Sequence, residues 1–66
     1  MKDLILNRIK RLEQYNQDSR IFCALLDENN KLDSKLKEYE FVERTRRDYA
    51  IMILKGILEE LEEGVN

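Results

Sequence analysis

The sequence contains no proline, no histidine and no tryptophan, a single cysteine, Cys23, and two glycines, Gly56 and Gly64, both near its end. Each absence excludes something. With no proline and no early glycine, nothing in the backbone chemistry interrupts long helices before residue 56. With no His and one Cys, the chain cannot assemble a zinc cluster or an internal disulfide, and the Cys23 thiol has no imidazole to activate it. No glycine-rich phosphate loop and no nucleophile–base pair is present, and the carboxylates are spread along charged stretches. The expectation is therefore a chain with no catalytic residues, no metal and no cofactor, and no enzymatic activity. Long apolar runs are also missing. No stretch approaches the ~20 residues of a membrane span. The segment Leu4-Ile5-Leu6 is broken at once by Asn7, Arg8, Lys10 and Arg11, so no signal-peptide core is expected. A lone cysteine suits a reducing, cytoplasmic compartment.

What is present reads as helix. Sixty-six residues make one small domain, 42% hydrophobic and 39% charged, with a formal net charge of −2. That hydrophobic fraction is too high for a disordered chain of such balanced charge. Leu, Glu, Lys and Ile dominate, and Val and Thr are few, which predicts an all-α fold. The balanced charge supplies no general drive towards nucleic acid or anionic membranes.

Apolar periodicity locates two helices. Ile5, Ile9, Leu12, Asn16, Ser19, Cys23 and Leu26 recur at alternating spacings of four and three, a coiled-coil-like seam with two polar members. The polar run Asp27 to Ser34 is the one turn-prone interior cluster, and Asn29 and Asn30 tolerate left-handed backbone. Asn30 and Asp33 have the spacing of a capping box. The pattern predicts helix 1 over about residues 3–28, a turn over about 28–31, and helix 2 over about 31–63. The predicted seam of helix 2 is Leu32, Leu36, Tyr39, Glu43, Arg46, Ala50, Ile53, Ile57 and Leu61, with Gly64 as a stop signal.

A fold at residues 29 and 30 sets residue i against residue 59 − i. Asn16 then faces Glu43, Ser19 lies near Tyr39 and Glu40, and the apolar ends of both seams coincide. That agreement predicts an antiparallel helical hairpin. A competing reading is one long helix over about 20–62. In it Leu25, Asn29, Leu32, Leu36 and Tyr39 form a heptad seam, with Asn29 as the polar a-position of a parallel dimer.

One seam does not bury everything apolar. The densest apolar stretch, Tyr49 to Leu54, is apolar round most of the helix, so it requires more than one neighbour. Phe22, Leu25, Tyr49, Ile51, Met52 and Leu58 are expected to form an oligomer interface. A dimer of hairpins, giving a four-helix bundle, is the simplest arrangement that covers them.

Phe41 lies roughly 180° from Leu32 around helix 2, where neither the seam nor a neighbouring helix covers it. Framed by Lys37, Arg44 and Thr45, it has the anatomy of an aromatic anchor for a protein partner. These features predict a small non-enzymatic interaction module, a stoichiometric regulator or inhibitor of a larger protein. Accessory proteins of phages and plasmids are an analogy of type, without a shared motif. Two alternatives stand beside it. Arg8, Lys10, Arg11, Arg44 and Arg47 can form a basic face for RNA or DNA, although Glu13, Glu38, Glu40, Glu43 and Asp48 are interleaved with them. The chain can also be a purely structural coiled-coil oligomerisation element. Glu43 and Arg46, with Asn16, are expected to form a polar layer that fixes register.

Overall fold

The structure, a computed structural model, describes residues 1–64. Helix α1 spans Lys2–Glu28 and helix α2 spans Ser34–Gly64, and they pack on each other along their length as an antiparallel hairpin. The single continuous helix over 20–62 is thereby excluded, because the chain reverses at the polar cluster.

The reversal is built from local chemistry. Asn30 has φ 56°, the left-handed conformation that asparagine accepts at small cost. Its N–H donates to the Asp27 carbonyl (3.1 Å), and the Lys31 N–H reaches back to the Leu26 carbonyl (2.8 Å). These are the two bonds of a Schellman motif, with Asn standing where Gly is usual. The Asn29 side-chain amide caps a further carbonyl, that of Leu25, at 2.7 Å. On the far side, the Asp33 carboxylate accepts the Leu36 N–H at 2.7 Å. Asp33 is thus the N-cap of α2, and the expected box with Asn30 is replaced by two separate caps. Helix α2 accordingly begins at Ser34, three residues later than expected.

The α1 seam is the one expected. Ile5, Ile9, Asn16 and Ser19 are buried, and Leu12, Cys23 and Leu26 are half-buried. The α2 seam differs. Leu36, Glu40, Arg44, Arg47, Ile51, Leu54, Leu58 and Leu61 turn inward, whereas Tyr39, Arg46, Ile53 and Ile57 are exposed. The observed seam follows the expected one by one residue over much of α2, a rotation of about 100°. Ile51 and Leu58, expected at an oligomer interface, therefore belong to the hairpin's own core. Ile51 packs with Ile5 and Ile9, and Leu12, Leu54, Leu58 and Leu61 close around them.

The register also moves. Asn16 bonds to Asp48 instead of standing level with Glu43, so residue i lies roughly level with residue 64 − i. The cause is the loop: it extends to Asp33, and the point of reflection shifts towards α2 by the same margin.

A polar belt and an open apolar face as the candidate functional site

Midway along the hairpin the interhelix contact is polar. Asn16 and Ser19 are more deeply buried, at 3% and 5% exposure, than most of the aliphatic core. Each small polar residue of α1 is held between one arginine and one acid of α2. The Ser19 hydroxyl donates to Glu40 Oε1 (2.8 Å) and accepts from Arg44 Nη1 (2.9 Å). Asn16 Nδ2 donates to Asp48 Oδ1 (2.8 Å), and Arg47 Nη1 approaches Asn16 Oδ1 at 3.5 Å. Arg44 also lies 3.7 Å from the Cys23 sulfur. Arg47 stands over the Tyr15 ring, 5.8 Å from its centre, a cation–π contact. No buried side-chain nitrogen or oxygen among the described residues lacks a partner. A satisfied buried network of this kind selects one register against its neighbours, because a slipped pair strands its donors and acceptors.

The belt accounts for the rotation of α2. Two adjacent strips of α2 are apolar enough to face α1. Only the strip through Ile51 also carries Glu40, Arg44 and Arg47, with Asp48 at its edge, and so only that strip satisfies Asn16 and Ser19. The pair Glu43–Arg46 exists at 3.2 Å, but the Arg46 side chain is 74% exposed. The pair therefore lies on the flank and is not the polar layer expected for it. Ser19 does meet Glu40, as expected. Asp48 and the inward turn of Arg44 and Arg47 were missed. Their signal was available, since 44 and 47 repeat the spacing of 16 and 19.

The remaining candidates separate onto two sides. Phe22, Leu25 and Tyr49 are exposed, and so are Phe41, Lys37 and Thr45. The Thr45 hydroxyl is spent on the Phe41 carbonyl at 2.9 Å. Arg44, expected beside Phe41, is half-buried and points into the belt instead. Met52 is exposed on the same side of α2 as Phe41, one end of a shallow groove shared with Lys55, Gly56 and Glu59. The five basic residues do not converge on one face. Arg44 and Arg47 are turned into the seam, Arg8 and Arg11 border one flank, and Lys10 is exposed on the outer side of α1. Among the described residues no group of three or more His, Cys, Asp or Glu is placed to hold a metal ion. Among the described residues no helix is long and apolar enough to cross a membrane.

Large apolar side chains mostly remain outside. Among the described residues three are buried, Ile5, Ile9 and Ile51, while fourteen are exposed. No family model matches the chain, and neither a curated protein nor a solved structure shows significant similarity to it.

Proposed function

We propose that this chain is a non-enzymatic helical interaction module. It works as a dimer of hairpins, a four-helix bundle, and acts as a stoichiometric regulator or inhibitor of a larger protein. The observation that carries the reading is the imbalance between three buried and fourteen exposed large apolar side chains. A protein that exposes this much apolar surface is arranged to have it covered by other chains. Two further observations support it. The grooves of the hairpin are shallow and lined by helix flanks, a shape suited to contact with another surface. The belt fixes a rigid, unique register, and so presents the outer side chains in a fixed pattern.

In this reading Phe41, with Lys37 and Thr45 around it, anchors the larger partner, with Met52 beyond it along α2. The test is affinity capture with the full chain from its native host, followed by the same experiment with Phe41→Ala. A single protein retained at equimolar ratio by the wild type, and lost or weakened at least about 30-fold by Phe41→Ala, is the expected result. Retention unchanged by Phe41→Ala removes Phe41 from the site. A chain that captures nothing and sediments as a folded monomer refutes the whole reading.

A further inference from the structure

Seven of the fourteen exposed large apolar side chains lie on or beside one side of the hairpin. At about 100° per residue, Leu4, Arg11, Tyr15 and Phe22 lie roughly a quarter-turn from the inward row of α1. Tyr39, Arg46, Ala50, Ile53 and Ile57 lie the same angle from the inward row of α2. In an antiparallel pair these two offsets point the same way. A groove of about 340 Å³ lined by Arg8, Leu12, Ala50, Ile53 and Leu54 joins the two rows. The groove between the helices on the opposite side is polar, lined by Glu13, Gln17, Arg20, Asp48 and Lys55, with Phe41 and Met52 farther out on α2.

We propose that a second copy of this chain covers the apolar side, turned end for end. Each helix then lies along its counterpart in reverse, so Ile57 of each copy packs on Tyr39 of the other, and Arg11 of each comes level with Glu43 of the other. The inference rests on the dimeric reading above and adds to it the face, the direction and the pairs.

Area fits this occupant. The seven large side chains on this face, Leu4, Tyr15, Phe22, Leu25, Tyr39, Ile53 and Ile57, average about half exposed. At roughly 200 Å² for a full side chain of this size they offer about 700 Å² per copy. A stable interface of standard size takes about 800 Å² from each partner.

Charge favours this direction. The Asn16–Asp48 level lies midway between the open end and the turn, so a two-fold axis there gives the greatest overlap. Reflection through that level carries Ile57 onto the level of Leu25 and Tyr39, and Ile53 onto that of Phe22. It also carries Arg11 onto the level of Glu43, a half-buried carboxylate on the edge of this face. A copy stacked in the same direction sets Arg8, Arg11 and Arg46 each level with its own counterpart on the diagonally opposite helix, and like charges brought to one level are unfavourable. The symmetric arrangement is also isologous, closing after two copies without leaving the face open.

The test uses the full chain with Cys23→Ala, into which Tyr39→Cys and Ile57→Cys are placed separately and together. Within one chain these positions stand about 27 Å apart along the hairpin, so they cannot form an internal disulfide. Oxidation is expected to give a covalent dimer from the double variant and none from either single variant. Covalent dimers from a single variant set a residue against its own copy and overturn the inference. No crosslink in the double variant, with a wild type that sediments as a dimer, places the interface elsewhere. That outcome overturns the inference and leaves the dimeric reading standing. A monomeric wild type at micromolar concentration overturns both. A second pair of variants guards against a folding defect in the cysteine series. Ile53→Glu weakens the dimer by at least about 30-fold. Met52→Glu, on the opposite side, leaves its dissociation constant within about threefold. The reverse ranking overturns the proposal.

Discussion

Asn16 is less accessible to solvent than any of the three buried isoleucines, yet every one of its polar atoms has a partner in reach. At the scale of single residues this makes its role one of selection more than of stability. Burying a polar pair gains little over an apolar pair of the same volume, while a slipped register leaves it unsatisfied. Asn16→Leu is therefore expected to keep the melting temperature or raise it slightly, within about 1 kcal/mol. It should also introduce a second set of amide resonances from an alternative register. A single sharp set in the heteronuclear spectrum refutes the selective role. The aliphatic residues divide just as clearly. Ile51 is 8% exposed and packs on Ile5 and Ile9, so Ile51→Ala should cost about 2–4 kcal/mol in denaturant unfolding. Phe41 is 61% exposed, and Phe41→Ala should change stability by no more than about 0.5 kcal/mol. Equal effects of the two substitutions contradict the burial of Ile51 and the exposure of Phe41.

The elements owe their ends to three side chains. Asn30 accepts the left-handed turn, Asn29 caps α1, and Asp33 caps α2. Asp33→Ala leaves the Leu36 N–H without its acceptor and should cost about 1 kcal/mol by thermal denaturation. Gly56 sits inside α2 on its outer side, and a Cβ added there meets nothing within 4 Å. Glycine is poorly suited to a helix interior, so Gly56→Ala should stabilise the hairpin by about 1 kcal/mol. No gain in the same thermal assay indicates that Gly56 is kept for close approach by another chain. The C-terminal turns of α2 carry Glu59, Glu60, Glu62 and Glu63 and no basic residue. Acids at the negative end of the helix dipole weaken these turns, and their amides should exchange fastest.

As a whole molecule the chain is a plate, 54 × 16 × 11 Å between its outermost Cα atoms, one layer of helices thick. A single layer has two broad faces and can bury side chains only along the line between its helices. In the proposed dimer, stability is tied to coverage of the apolar face, and association contributes by mass action. The midpoint of thermal unfolding should rise with protein concentration across the micromolar range. A midpoint that is independent of concentration shows that two helices are sufficient alone.

The amino-acid sequence determined the helices, their antiparallel return and the α1 seam. These follow from local rules: an unbroken apolar period, and asparagines and an aspartate where the backbone must turn. On α1 only one row, from Ile5 to Leu26, is suitable for burial, so periodicity alone identifies it. On α2 periodicity is ambiguous. Ile51, Leu54 and Leu58 form one strip, Ala50, Ile53 and Ile57 the next, and a helix apolar over both has no intrinsic preference between them. Only the tertiary structure decided that question. The buried Asn16 and Ser19 require donors and acceptors from the facing helix, and Glu40, Arg44, Arg47 and Asp48 provide them on one strip alone. That requirement turned Arg44 and Arg47 away from solvent, moved Ile51 and Leu58 into the core, and left Tyr39, Ile53 and Ile57 outside. Satisfaction of buried polar groups depends on pairs distant in sequence, and local periodicity contains no information about them.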